Sequence, residues 1–202
     1  MPTLISHFES ARAGPSRLTM KTPIPPNESQ RLEALRSYEI LDTDREEEFD
    51  AIARVAARIC GTPIALVSLV DETRQWFKSK VGLDVEEMPR DVAFCAHTIL
   101  QSEPLVVPDA QKDARFSHNP LVTSDPQIRF YCGMPLMNEN GLGLGSLCVI
   151  DKKPRQLNAE QMEGLEVLRQ AVVTKMQLRR VLRLLDDYRS EAKRLSARVS
   201  SQ

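Results

Sequence analysis

Seven apolar residues near the C-terminus, Leu178, Val181, Leu185, Tyr188, Ala192, Leu195 and Val199, recur at alternating steps of three and four. Only an α-helix gathers such positions into one stripe, and a stripe repeating every seven residues is the seam of a coiled coil. One long helix is therefore predicted from Asn158 to Ser200, with a weaker extension of the seam backwards through Thr174 and Ala171. A solitary helix carrying this stripe would leave apolar surface in water. The chain is expected to form a homodimer through Leu178, Val181, Leu185, Tyr188 and Leu195. The alternative is a helix folded back on its own domain.

A chain of 202 residues has room for one domain upstream of that helix. Apolar residues make up 42% and charged residues 27%, with a formal net charge of -1, so the composition is globular and gives no electrostatic footprint for nucleic acid. No apolar run approaches the roughly 20 residues that cross a bilayer. Residues Met1 to Asn27 hold Pro2, Pro15, Pro23, Pro25 and Pro26 without sustained periodicity, and read as a disordered leader rather than an export signal. The expected location is cytoplasmic, where Cys60, Cys95, Cys132 and Cys148 would stay reduced.

Between leader and helix the elements follow from period and punctuation. Leu32, Leu35 and Ile40-Leu41 mark a short helix. Asp44 with Glu47 resembles a capping box, followed by Phe49, Ile52, Ala53, Ala56 and Ile59 at helical spacing and Gly61 as a stop. The run Ile64 to Val70 is too short and β-branched for a helix, so it is read as a strand, with Gln75 to Lys80 its hairpin partner. Val81 to Asp91 is read as a loop, Val92 to Leu100 as a short helix, Leu105 to Val107 as a strand and Pro108 to Pro126 as a polar excursion. Strands Ile128 to Met137 and Leu142 to Ile150 close on Asn140-Gly141, a strong hairpin signal.

Several strings in this order resemble the GAF domains at the input end of bacterial sensor kinases and cyclic-dinucleotide enzymes. They are Arg31 to Thr43, Pro63 to Asp71, Gln75 to Ser79, Phe94 to Ile99, Pro108 to Ala110, Asp113 to Phe116, Phe130 to Leu136 and Gly145 to Asp151. The resemblance implies an α+β fold with about six antiparallel strands and the N- and C-terminal helices packed on one face. The GAF unit would span residues 28–157 and the long helix residues 158–202. A small-molecule pocket is implied on the opposite face. Related domains hold cyclic nucleotides, tetrapyrroles or haem there, and the fold does not fix the ligand.

Candidate ligand contacts are Trp76, Phe94, Cys95, His97, Asp109, Arg115, Tyr131 and Cys132. Trp76 and Phe77 point to opposite sides of their strand, as do Phe130 and Tyr131. The Tyr131 hydroxyl needs a partner if buried. Arg115 has the planar fork that suits a phosphate or carboxylate, while an ion pair fixing its loop is the plainer reading of Asp113 and Arg115. Arg129 is expected in solvent, and Asp151 is expected to anchor the turn into the long helix. No spacing of histidine and cysteine suits a metal. One residue separates Cys95 from His97, which argues against the adjacent Cys-His pair of bilin-binding relatives, and no cofactor is firmly implied.

Output motifs are absent from this stretch. There is no Gly-Gly-Asp-Glu-Phe string and no phosphodiesterase metal signature. His7, His97 and His118 all precede Asn158, so the long helix holds no phospho-accepting histidine. The expectation is a non-catalytic sensory module that binds a small effector and passes the signal through dimer helices to a partner protein. Two alternatives stand beside it. One is a thiol-dependent oxidoreductase resembling the free methionine sulfoxide reductases, using Cys95 and Cys132; the other is a pure dimerisation scaffold.

Overall fold

The computed structural model describes residues 22–200; the leader reading for residues 1–21 lies outside the described residues. Thr22 to Asn27, read with that leader, is docked instead: Pro25 is buried and the Thr22 hydroxyl donates to the Asp91 carbonyl at 2.7 Å.

Helices α1 (Glu28–Ser37) and α2 (Glu47–Cys60) lead into strand β1 (Ile64–Val70). Strands β2 (Arg74–Val81) and β3 (Glu87–Pro89) follow, then a 3-10 turn (Arg90–Val92) and helix α3 (Cys95–Thr98). Strand β4 (Leu105–Val107), helix α4 (Pro120–Thr123), strands β5 (Phe130–Met137) and β6 (Gly143–Asp151), and helix α5 (Ala159–Ser200) complete the order. All six strands pair antiparallel in the order β3-β2-β1-β6-β5-β4.

The sheet separates two apolar cores. Ala65, Val67, Leu69, Trp76, Cys132, Met134, Leu147 and Val149 face α1, α2 and α5, meeting Leu35, Phe49, Ala56, Leu165, Val172 and Met176. Ile64, Leu66, Phe77, Tyr131, Cys148 and Ile150 face the other way, toward Phe94, Phe116 and Leu121. Every residue of β1 is buried, which is why its sequence is apolar apart from Ser68 instead of alternating.

Several local devices differ from the sequence reading. The capping box at Asp44 does not form; Glu46 is the N-cap of α2, without a side-chain cap, because its carboxylate reaches Lys78 at 2.8 Å. The loop after Val81 contains β3 and the 3-10 turn, and the polar excursion contains α4, capped by Asn119 with Pro120 at its first turn. Gly61 closes α2 at φ +62° as expected, and Asn158 with Gln161 forms a reciprocal cap on α5 (2.8 and 3.1 Å).

The register between β1 and β2 slips at Lys78: Ser68 lies opposite Phe77 and Val67 opposite Ser79. Lys78 faces the helices by alternation with Trp76, and the bulge turns Ser79 to the same side. Lys78 is fully buried there, bonded to the Thr43 hydroxyl (2.9 Å), the Asp44 carbonyl (2.5 Å) and Glu46, while Ser79 donates to Asp50 at 2.7 Å. Glu46 also accepts from Arg179 of α5 at 3.0 Å, so β2 is tied to α5 through one carboxylate.

Candidate functional site

On the face opposite α1, α2 and α5 lies a cavity of about 30 Å³, bounded by Ile64 and Leu66 of β1, Gln75 and Phe77 of β2, and Tyr131 and Ile150. Phe94 and Cys95 close one end, and Leu83, Met88, Leu121, Pro126 and Ile128 from the connecting segments form the outer wall. That is room for about two water molecules. Ligand pockets that enclose a drug-sized molecule measure roughly 300 Å³ or more. A larger guest therefore enters only if the outer wall moves.

The polar atoms of the site are concentrated at Cys95. Its sulfur receives hydrogen bonds from the Gln75 amide (3.1 Å), the Ser68 hydroxyl (3.3 Å) and the Tyr131 hydroxyl (3.4 Å), and Cys148 lies 3.9 Å away. Tyr131 also meets Thr98 at 2.6 Å, and Ser68 meets Ser146 at 3.3 Å. Gly133 makes room for this cluster: a Cβ there would fall 2.1 Å from the Tyr131 hydroxyl and 2.8 Å from that of Thr98. The side-chain oxygen of Gln75, Oε1, is buried without a hydrogen-bond partner, on a residue that lines the cavity.

Burial raises the Cys95 thiol, but the bonds from Cys148, Ser146, Ser68 and Tyr131 outweigh it and bring it down to about 6. Cys148 is pushed well above its ordinary value by its bond to Cys95 and by burial. Burial also raises Cys60 to about 11 and Cys132 to about 12, with no hydrogen bonds offsetting it. One of four buried thiols is thus chemically distinct.

Of the eight residues singled out from the sequence, the fold brings Phe94, Cys95 and Tyr131 to the cavity. Trp76 and Cys132 point to the helix side, because strand alternation assigns the cavity face to Phe77 and Tyr131. Cys95 and Cys132 consequently lie on opposite faces, and that dithiol is not assembled. His97 misses the cavity as well; its ring packs edge-on to Phe116 (4.8 Å, 71°), which itself stacks on Phe94 at 4.1 Å. Arg115 is engaged with Asp113 (2.6 and 2.9 Å), the loop-fixing ion pair. Asp109 grips Arg129 with two bonds of 2.9 Å, so Arg129 is not the solvated residue expected. Asp151 does anchor the turn into α5, accepting from the Lys153 backbone (3.1 Å) and pairing with Arg155. Gln75, Ser68 and Cys148 escaped sequence reasoning. The alternation that pairs Gln75 with Phe77 against Trp76 and Lys78 was the one available signal.

Among the described residues, no three or more His, Cys, Asp or Glu side chains are placed to hold a metal ion. No helix among them is long and apolar enough to cross a membrane.

A six-stranded antiparallel sheet with terminal helices on one side and a cavity on the other defines an α+β fold class shared by input domains and enzymes alike. The chain belongs to the GAF domain family, whose profile matches residues 44–174. Over 139 residues it is 44% identical to a cyclic di-GMP phosphodiesterase of Pseudomonas aeruginosa, a match covering 69% of this chain and 24% of that protein. The chain thus spans about a quarter of that relative's length. Similar solved structures include the GAF domain of an Acinetobacter phosphoenolpyruvate-protein phosphotransferase (TM-score 0.54, 18% identity, 76% of this chain and 96% of that one). Another is free methionine-R-sulfoxide reductase from Neisseria meningitidis in complex with its substrate (TM-score 0.55, 16% identity, 76% and 92%). At such identities the shared property is the fold.

Proposed function

We propose that this GAF domain is a non-catalytic sensory module whose effector enters the cavity beside Gln75 and Cys95 and is read at α5 in a homodimer. The orphaned Gln75 Oε1 carries the reading. An unsatisfied buried acceptor costs about 1–3 kcal/mol, and a ligand donor that reaches it recovers that cost. The cavity is small, so binding selects a state in which the wall formed by Leu83, Met88 and Leu121 has moved outward.

The sheet supplies the route to the output helix. Gln75 faces the cavity, while Lys78, three residues along the same strand, faces Glu46 and through it Arg179. The outer half of α5 supports pairing with a second copy. Leu178, Val181, Leu185 and Tyr188 are 51%, 51%, 46% and 72% exposed, and the Leu195 side chain lies outside the described ones. Val167, 61% exposed, and Ala171 and Thr174 extend the same stripe back along the body of the domain. Likeness to part of a cyclic di-GMP phosphodiesterase supports a regulatory role and makes an enzyme of cyclic-dinucleotide turnover the first partner to test in trans.

The test uses the full chain and its Leu83→Trp variant, whose indole fills the cavity from a half-buried loop position. Each is incubated with a small-molecule extract of bacterial cells and re-isolated by gel filtration, and bound compounds are released and identified by mass spectrometry. The expected result is one compound retained by the wild type at about one per chain and lost from the variant. Equal retention by both proteins, or none by either, would contradict effector binding here.

A further inference from the structure

We propose that Cys95 and Cys148 form a peroxide-reactive thiol pair, in which Cys95 is oxidised from the cavity and Cys148 resolves it to an intramolecular disulfide. Four observations converge on these two residues. Their sulfurs are 3.9 Å apart, so a disulfide of about 2.05 Å requires only a modest closing movement of α3 toward β6. Cys95 borders the cavity and Cys148 lies behind it, one exposed to a guest and one in reserve. Three donors, from Gln75, Ser68 and Tyr131, converge on the Cys95 sulfur, an arrangement that favours sulfur as thiolate. The partnerless Gln75 Oε1 stands ready to accept a hydrogen bond from a small hydroxylic guest. The cavity of about 30 Å³ excludes bulky oxidants and admits a neutral molecule of two oxygen atoms.

The chemistry proceeds in two balanced steps. The Cys95 sulfur attacks one oxygen of hydrogen peroxide and the O–O bond breaks. The departing hydroxide takes the former thiol proton and leaves as water, with Cys95 now a sulfenic acid. The Cys148 sulfur then attacks the Cys95 sulfur and the S–O bond breaks. The departing hydroxide takes the Cys148 proton, giving the S–S bond and a second water. Overall two thiols and one hydrogen peroxide become one disulfide and two waters. The thiol pair requires no effector, so effector binding can fail without touching it, and the reverse.

The test exposes the reduced full chain to hydrogen peroxide, quenches with iodoacetamide in denaturant and maps tryptic peptides. The expected product joins the Asp91–Lys112 peptide to the Phe130–Lys152 peptide through Cys148, leaving Cys132 alkylated. Cys95 should lose alkylation about tenfold faster than Cys60 or Cys132, following its thiolate character. Cys148→Ser should stop at a Cys95 sulfenic acid trapped by dimedone, and Cys132→Ser should retain the cross-link. Oxidation of Cys60 or Cys132 before Cys95, or four fully alkylated thiols at peroxide levels that consume free cysteine, would overturn the assignment. Because the wild-type chain alone gives either answer, a variant that misfolds does not obscure the outcome.

Discussion

Glu28 sits between two buried guanidinium groups, bonded to Arg31 at 2.7 and 2.8 Å and to Arg90 at 2.5 Å, while Arg31 also donates to the Val70 carbonyl at 2.7 Å. Burial raises its pKa, but the two arginines outweigh burial and lower it from 4.5 to about 2. A carboxylate depressed in the folded state stabilises fully above its unfolded pKa, and the contribution disappears as pH falls from 4.5 through about 2. Allowing for solvent screening, it is on the order of 2 kcal/mol. Urea titrations should therefore show the wild type losing about that much more stability than Glu28→Gln between pH 5 and pH 2; parallel losses would refute the pairing. Gly133 offers a steric counterpart. Gly133→Ala places a methyl group against the Tyr131 hydroxyl, and overpacking should cost about 1–3 kcal/mol in the same assay. Unchanged stability would mean the cluster around Cys95 is looser than its distances imply.

At the scale of elements, legibility followed burial. The run from Ile64 to Val70 was readable because a strand covered on both faces leaves an apolar run, here interrupted only by Ser68. β3 and the 3-10 turn were not, since they exist through pairing with β2 rather than through their own three-residue propensities. Asn119-Pro120 is a start signal for α4 that the polar excursion concealed, because it is weak for so short a helix. Lys78 was hidden for a different reason. A lysine inside a strand reads as solvent-facing, yet alternation puts Lys78 on the same side as Trp76, the face that the helices cover. The Cys95 and Cys148 contact joins residues 53 apart in sequence, and no local pattern encodes it. Lys78→Met should cost about 2–4 kcal/mol, because Glu46, the Thr43 hydroxyl and the Asp44 carbonyl lose their buried cation. Denaturant unfolding would measure it, and a loss below 0.5 kcal/mol would show that Glu46 is held by Arg179 alone.

At the scale of the molecule, α5 has two characters. Leu165, Val172 and Met176 are buried in the domain core, and Arg179 and Arg183 bond the Glu39 carbonyl at 2.9 and 3.2 Å, so the first half of the helix belongs to the fold. Beyond them the apolar stripe is left to water. The helix on its own body thus describes the first half of α5, and pairing of the outer half with a second copy is the proposal. Sedimentation equilibrium of the full chain should give a dimer, and Leu178→Asp with Leu185→Asp should give a monomer of unchanged secondary structure. A monomer for the wild type at tens of micromolar would remove the pairing proposal.

In the proposed function the state of the cavity is felt at α5 across a shared sheet. Hydrogen-exchange mass spectrometry of the wild type against Leu83→Trp tests it most directly, since the added indole occupies the cavity without touching the helix. Exchange should change in the Leu83 loop and also along residues 172–183, where Glu46 and Arg179 connect β2 to the helix. A change confined to the loop, with α5 exchanging identically in both proteins, would contradict it.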